Sequence, residues 1–316
     1  RPSPTAHSLR ASASGSLMLM GEHAVLHGAR ALCAAVDQRI SVELTPEEGR
    51  DYAVESDLGS VCGSLDRIGT SPKLRFVLEA IRQVRPAHGF TLRIRAEFDA
   101  TLGFGSSAAV TAAVVAALRA HQGKAFNRPA IFERALATVH AVQGRGSGAD
   151  LAAAVYGGVV LYRADPLSIE PFVCAPPLAA VYAGYKTPTP EVIGIVDRLR
   201  RHHPSLYTEV FQCIDSATRE AADALRYADW ERLGELFNLH HGLQAALGTS
   251  DAVLESLVHG LRRHPNVTGA KISGSGLGDC VIALGDSGAR VKGHTSIPVH
   301  IDNDGLRLTT HNANHD

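Results

Sequence analysis

The chain has 316 residues, with 31 Lys and Arg against 32 Asp and Glu and a formal net charge of −1, so its electrostatics give no reason to expect a nucleic-acid partner. Hydrophobic residues make up 45%, charged residues 20% and aromatics 5%, an ordinary balance for a soluble globular chain with too few rings for a base-stacking surface. No apolar run reaches the roughly 18 residues of a membrane span.

The length allows two domains. The opening Arg1-Pro-Ser-Pro lacks a signal-peptide core and an initiating Met, and is read as a trimmed start. Residues 8–20 alternate briefly and end in the buried-strand candidate Leu17-Met-Leu-Met20. Gly21-Glu-His-Ala-Val-Leu-His-Gly28 follows as a turn or short helix. Residues 31–36 and 40–44 read as a strand pair separated by Asp37-Gln38, and the polar, Gly-rich 45–65 as surface loops. Apolar residues at 74, 77, 78, 81 and 84 predict a helix, and 90–98 alternates as a half-buried strand. Helices are expected over 108–118 and 129–142, the latter with Pro129 near its start, and a short small-residued one over 149–155.

Residues 159–162 read as a strand, and Ala164-Asp165-Pro166 as the boundary between domains 1–165 and 166–316. Beyond it the pattern predicts a strand at 179–182, helices near 189–202, 205–225, 228–246 and 251–263, and strands at 266–273 and 279–284. Residues 296–310 read as a hairpin turning at Asn303-Asp304-Gly305, with a frayed polar tail at 311–316. The five cysteines (Cys33, Cys62, Cys174, Cys213, Cys280) are scattered and form no CxxC pair, which suits reduced thiols in a cytoplasmic protein. The adjacent pairs His202-His203 and His240-His241 lack the spacing of a helical metal site and read as surface or packing residues.

The stretch Ala100-Thr-Leu-Gly103-Phe-Gly105-Ser106-Ser107-Ala108-Ala109 joins a strand to a helix through a glycine turn. Backbone N–H groups and the helix dipole make such a turn an anion site, most often for phosphate. The hydroxyls of Ser106 and Ser107 suit a phosphate oxygen or a metal ion. The bland alternative is a tight turn whose first serine caps the helix. Gly103-Phe-Gly105-Ser-Ser-Ala108 also fits a dinucleotide fingerprint, but no Asp or Glu lies between Ser106 and Phe132 to meet a ribose. Gly288-Ala-Arg-Val-Lys-Gly293-His-Thr295 misses the P-loop by placing His where Lys belongs, and lacks the strand-to-helix setting.

Two further glycine turns, at 144–148 and 274–278, suggest backbone approaching a polyanion at several points. Asp150, just after the first of these, is either a helix-start acid favoured by the dipole or a proton acceptor for a hydroxyl being phosphorylated. Small neighbours, Ser147 among them, leave room for a substrate. Glu22 and His23, at a strand end, could orient a polar ligand. Lys186, between a strand and a helix, is either a solvated lysine or a binder of an anionic group.

Taken together, these segments resemble the kinase superfamily named for galactokinase, homoserine kinase, mevalonate kinase and phosphomevalonate kinase. Gly21–Gly28 is similar to motif 1 of its mevalonate kinases, Leu102–Ala109 to the motif 2 phosphate loop with Phe104 for Leu, and Lys271–Cys280 to motif 3 with Ser273 for Thr and Asp279 for Gly. Gly248-Thr-Ser250, after Asn238, also resembles a segment of those enzymes.

The resemblance implies an α+β fold: an ATP-binding N-terminal domain of the ribosomal protein S5 domain 2-like type and a ferredoxin-like C-terminal domain. It implies ATP and Mg²⁺ held by Gly103, Gly105, Ser106, Ser107 and Ala108, with Ser107 on the metal. Asp150 would be catalytic, Glu22, His23, Ser147 and Lys186 would meet the acceptor, and Gly274, Ser275 and Gly276 would line the site. Two departures stand out: Ser14-Gly15-Ser16 replaces Pro-Gly-Lys, and Val139 falls where a helical Glu would help hold Mg²⁺. The segments around Asp150 and Lys186 look closer to phosphomevalonate kinases. The expected acceptor is therefore mevalonate, with phosphomevalonate second and a decarboxylase of the same superfamily behind both. A non-catalytic ligand-binding relative is the reading from another class, and the resemblance leaves a homodimer open.

Overall fold

The computed structural model describes residues 8–97, 104–285, 291, 293–294 and 296–311. Gly103, the 100–102 start of the phosphate turn, most of the 288–295 near-miss, the opening tetrapeptide and the 312–316 tail lie outside the described residues.

Two long antiparallel strands, β1 (Ser8–Met20) and β2 (Ala31–Pro46), form the spine, paired from Leu9↔Leu44 to Met20↔Leu32. Residues 31–44 are thus one strand rather than a pair. The register jumps from Ser14↔Arg39 to Gly15↔Val36, so Asp37 and Gln38 form a bulge, which breaks an alternating pattern without turning the chain. On its other side β2 splits its pairing. Residues 40–46 bind β5 (Phe90–Ala96), and residues 31–34 bind β6 (Val159–Arg163).

The 45–65 segment is a second correction, since it holds β3 (Asp51–Ser56), parallel to β5, and β4 (Gly59–Ser64). Only Tyr52 and Val54 of β3 are buried, too few apolar side chains to stand out from a polar stretch. β7 (Ser168–Phe172) pairs with β6, and β12 (Arg307–His311) pairs with β1, completing an eight-stranded sheet.

The helices α1 (Arg75–Val84), α2 (Ser106–His121), α3 (Arg128–Gln143) and α4 (Ala149–Tyr156) pack with this sheet. Ala108, Ala109 and every residue from Thr111 to Leu118 of α2 are buried, which explains why its sequence is alanine and valine with no polar face. The second sheet has the order β11-β8-β10-β9, formed by Ser296–Val299, Leu178–Lys186, Gly278–Gly285 and Val267–Ser273. Its companions are α5 (Thr189–His202), α6 (Pro204–Arg226), α7 (Trp230–Ala246) and α8 (Ala252–Arg262). Among the described residues no helix is long and apolar enough to cross a membrane.

The expected 296–310 hairpin is a third correction. β11 joins the second sheet and β12 the first, so the chain crosses between them. A turn does form there, with Asp302 Oδ1 accepting from Asp304 N at 2.9 Å, but it steers the chain toward Arg39. The buried Arg39 guanidinium donates to Asp302, to Ser12 O at 2.8 Å and to Gly305 O at 2.7 Å. Asp302→Ala would leave this guanidinium without its carboxylate. We expect a loss of about 3–5 kcal/mol, the usual cost of breaking a buried pair, measured by denaturant unfolding. A change within about 0.5 kcal/mol, the range of ordinary surface substitutions, would show that the crossing does not depend on this pair.

Candidate active site

The cleft lies where β1, the starts of α2 and α4, the end of β8 and the β9–β10 turn converge. It encloses about 250 Å³ and is lined by Ser16, Glu22, His23, Gly105, Ser106, Ser107, Ala108, Ser147, Asp150, Lys186, Gly274, Ser275 and Asp279, among others. Nearly every residue singled out from the sequence is therefore in one place. Gly276 is the exception among the described residues. It packs away from the cleft, and a Cβ there would lie 2.2 Å from Thr249 O.

The phosphate turn enters α2 through Gly105, whose φ of 61° is left-handed. A side chain is excluded, because a Cβ would sit 1.9 Å from Ser16 Oγ. Ser106 and Ser107 occupy the first turn, where backbone N–H groups have no carbonyl within the helix to bind. Ser16 then reaches the other wall, donating to Asp150 Oδ1 at 2.8 Å. Cys33 Sγ lies 3.6 Å from the same oxygen. Asp150 opens α4 behind Gly148, whose φ of 85° brings Tyr162 close, and Tyr162 OH donates to Ser147 O at 2.5 Å.

Burial pushes the Asp150 carboxyl above the usual range, against the Ser16 and Cys33 hydrogen bonds and the Lys186 charge, while Asp279 adds to the rise. Glu22 and His23 sit on the turn after β1. Glu22 Oε1 accepts from Lys271 Nζ at 2.5 Å, and both side chains are buried. Burial raises the Glu22 carboxyl and lowers the Lys271 ammonium, each opposed by the partner's charge. His23, at φ 60°, donates through Nε2 to Ser275 O at 2.8 Å and ties this turn to the β9–β10 turn. His240 Nε2 accepts from Gly21 N at 3.0 Å, which leaves Nδ1 to donate to Gln244; burial holds this imidazole neutral, well below its usual range.

Sequence reasoning singled out neither Lys271 nor Asp279 nor Arg145 as part of the site. Lys271 carried a signal, since a lysine inside the apolar run of β9 needs a buried partner. Arg145, in the α3–α4 loop, pairs with Asp197 of α5 at 2.6 Å across the cleft mouth. Val139 lines the cleft, so no carboxylate faces it from that position of α3. Among the described residues no cluster of three or more His, Cys, Asp or Glu is placed to hold a metal.

A serine-rich helix start facing a half-buried carboxylate, between two α+β units, defines the class: a small-molecule phosphotransferase cleft. The profile of the GHMP kinases N terminal domain matches residues 74–158, and that of the GHMP kinases C terminal matches 221–293. The chain is 31% identical over 299 residues to a mevalonate kinase of Aeropyrum pernix, covering 91% of this chain and 92% of that one. It superposes on Lactococcus lactis galactokinase with galactose at TM-score 0.84, with 17% identity and 95% of each chain covered. The L. major mevalonate kinase complex with R-mevalonate gives TM-score 0.75 and 24% identity, covering 92% of this chain and 94% of that one. The chain belongs to the GHMP kinases and is an ATP-dependent kinase with their two-domain α+β fold.

In the proton-acceptor role proposed for it below, Asp150 must be ionised, so turnover should fall as pH drops through its raised value, above the roughly 3.9 of an unperturbed aspartate. Ser16→Ala removes a hydrogen bond that favours the ionised form and should move this acid limb of kcat further up. An acid limb at the same pH in both proteins would separate Ser16 from the ionisation of Asp150.

Proposed function

We propose that this chain transfers the γ-phosphoryl group of ATP to mevalonate, with Asp150 as the proton acceptor. The observation that carries this reading is the placement of Asp150 in one cleft with the Ser106-Ser107 helix start. The long relatives named mevalonate kinases favour the acceptor. The acceptor hydroxyl gives its proton to Asp150 as its oxygen bonds to phosphorus. The bond from phosphorus to the β-phosphate oxygen breaks, and ADP leaves. Little covalent chemistry falls to the protein, so positioning and charge stabilisation do the work.

In this reading the triphosphate lies on the α2 start, at Gly105, Ser106, Ser107 and Ala108, with Gly103 before them. Gly274 and Ser275 close the opposite side, with Gly276 shaping their turn. Glu22, His23, Ser147 and Lys186 meet the acceptor. The oxygen donors present suit Mg²⁺, which takes few protein ligands and keeps its other positions for phosphate and water. Ser107 would hold it, and it would neutralise charge on the phosphates. Residues 1–165 carry ATP binding and 166–316 form the companion domain, which lends β7 and β12 to the first sheet. Cytoplasmic residence and a homodimer belong to the same reading.

Phosphomevalonate is the second acceptor, favoured by two cations lining one cleft, Lys186 and Arg145. The experiment is ADP release from ATP-Mg²⁺ with each acceptor separately, identifying products by mass. Mevalonate-dependent release with a monophosphorylated product is expected. Release with phosphomevalonate alone would reassign the acceptor, and release with neither would favour a ligand-binding relative. Asp150→Asn should retain ATP binding and lose at least about 100-fold in turnover, the size of a general-base effect. Near-normal turnover would remove Asp150 from the mechanism.

A further inference from the structure

Lys186 and Asp279 meet because of an irregularity between two strands. β8 and β10 run antiparallel, but their register breaks: Gly278 pairs with Lys186, whereas Cys280 pairs with Tyr182. Asp279 lies in the break. Its φ is 68°, a region that favours glycine, and its carboxylate Oδ2 is 2.8 Å from Lys186 Nζ. The strands approach too closely for a side chain at Gly278, where a Cβ would lie 2.8 Å from Tyr185 O and 3.0 Å from Lys186 Cα. Thr187 Oγ1 donates to Leu277 O at 2.6 Å and fastens the residue after Lys186 to the same turn.

The two partners differ in exposure. The Asp279 side chain is 11% exposed and that of Lys186 42%. Asp279 Oδ1 has no hydrogen-bond partner among the described residues, so Lys186 is what its carboxylate holds. A buried, conformationally strained acid thus presents an ammonium to the cleft. Strain of this kind persists where the surrounding structure enforces it, often at a functional site.

The other charges of the cleft are committed elsewhere. Lys271, behind the cleft wall, is bound to Glu22, Arg145 is held by Asp197, and Ser16, which meets Asp150, carries no charge. Asp279 also repels Asp150, while Lys186 attracts it. Any benefit of Asp279 to Asp150 must therefore pass through Lys186.

We propose that Asp279 is a positioning residue that fixes the Lys186 ammonium in the cleft as the anchor for an anionic group of the acceptor. This rests on the phosphotransfer reading above. Its test is a double-mutant cycle of Lys186→Met and Asp279→Gly. Glycine accepts the φ at 279, so Asp279→Gly should melt no lower than the unsubstituted protein, and Asp279→Asn serves as a second probe that keeps the side chain's size.

We expect each single change to reduce kcat/KM for the acceptor about 10- to 100-fold, as for loss of a charge-assisted contact, with nucleotide Kd unchanged. The double variant should be no worse than Lys186→Met alone, because both changes remove the same interaction. The cycle is run with whichever of mevalonate and phosphomevalonate the unsubstituted chain turns over. A wrong acceptor thus shows in the unsubstituted protein, and a wrong role for Asp279 shows only in the cycle. Two results would overturn the proposal: Asp279→Gly keeping kcat/KM within about twofold, or losses that multiply in the double variant. Failure to turn over either acceptor would remove it together with the reading beneath it.

Discussion

The cleft depends on an ammonium that has left water. Lys271 is buried within β9, and its Nζ reaches Glu22 Oε1 at 2.5 Å from the turn after β1. A charge in that position is costly unless it is paired and fully hydrogen-bonded. It is satisfied only when the second sheet is docked against the end of β1. Ser273 Oγ to Met18 O at 2.9 Å, His23 to Ser275 O, and Gly21 N to His240 reinforce the same seam. The relative position of the two walls is therefore set by a contact whose alternatives are expensive, and the turns that line the cleft inherit that precision.

A second chain of contacts couples the glycine turn before α2 to Asp150. The missing side chain of Gly105 is what admits Ser16 Oγ, and Ser16 is what reaches Asp150. Phe104 O accepts from Ser16 N at 3.0 Å, so β1 is pinned to the turn on one side and to α4 on the other. The α2 start and Asp150 thus sit on one assembly, as the phosphotransfer proposed above requires. Charge stabilisation without reorganisation requires such preorganisation.

Much of this was legible in the sequence where a physical signal was local. The small-residue run of α2, the periodicity of α1 and the four helices after residue 188 followed from spacing and composition. The three glycine turns and Asp150 stood out as candidate chemistry, and their order as a family resemblance. What stayed hidden depended on pairing across the chain. The Asp37-Gln38 bulge looks like a turn until β1 is laid beside it, and β11 and β12 look like a hairpin until each finds its own sheet. Lys271 and Asp279 fall in the segment that resembles motif 3, but their pairing stayed hidden because their partners, Glu22 and Lys186, lie 249 and 93 positions away.

The cleft's two flexible cations, Arg145 and Lys186, are each paired with a largely buried carboxylate, and the pairs differ in what surrounds them. Arg145 is 47% exposed, and its pair with Asp197 at 17% exposure faces solvent at the cleft mouth. Lys186 at 42% and Asp279 at 11% are exposed to nearly the same extent, so exposure does not separate the two pairs. Arg200 Nε lies 3.9 Å from Asp197 and His27 Nε2 equally near, and because burial lowers the His27 imidazole below its usual range, the two guanidiniums are the charges that Asp197 meets. Asp279, by contrast, pairs with Lys186 alone among the described residues. One side of the cleft therefore carries a one-to-one ion pair and the other a carboxylate shared between two guanidiniums, so the two cations present differently balanced charge to the space between them.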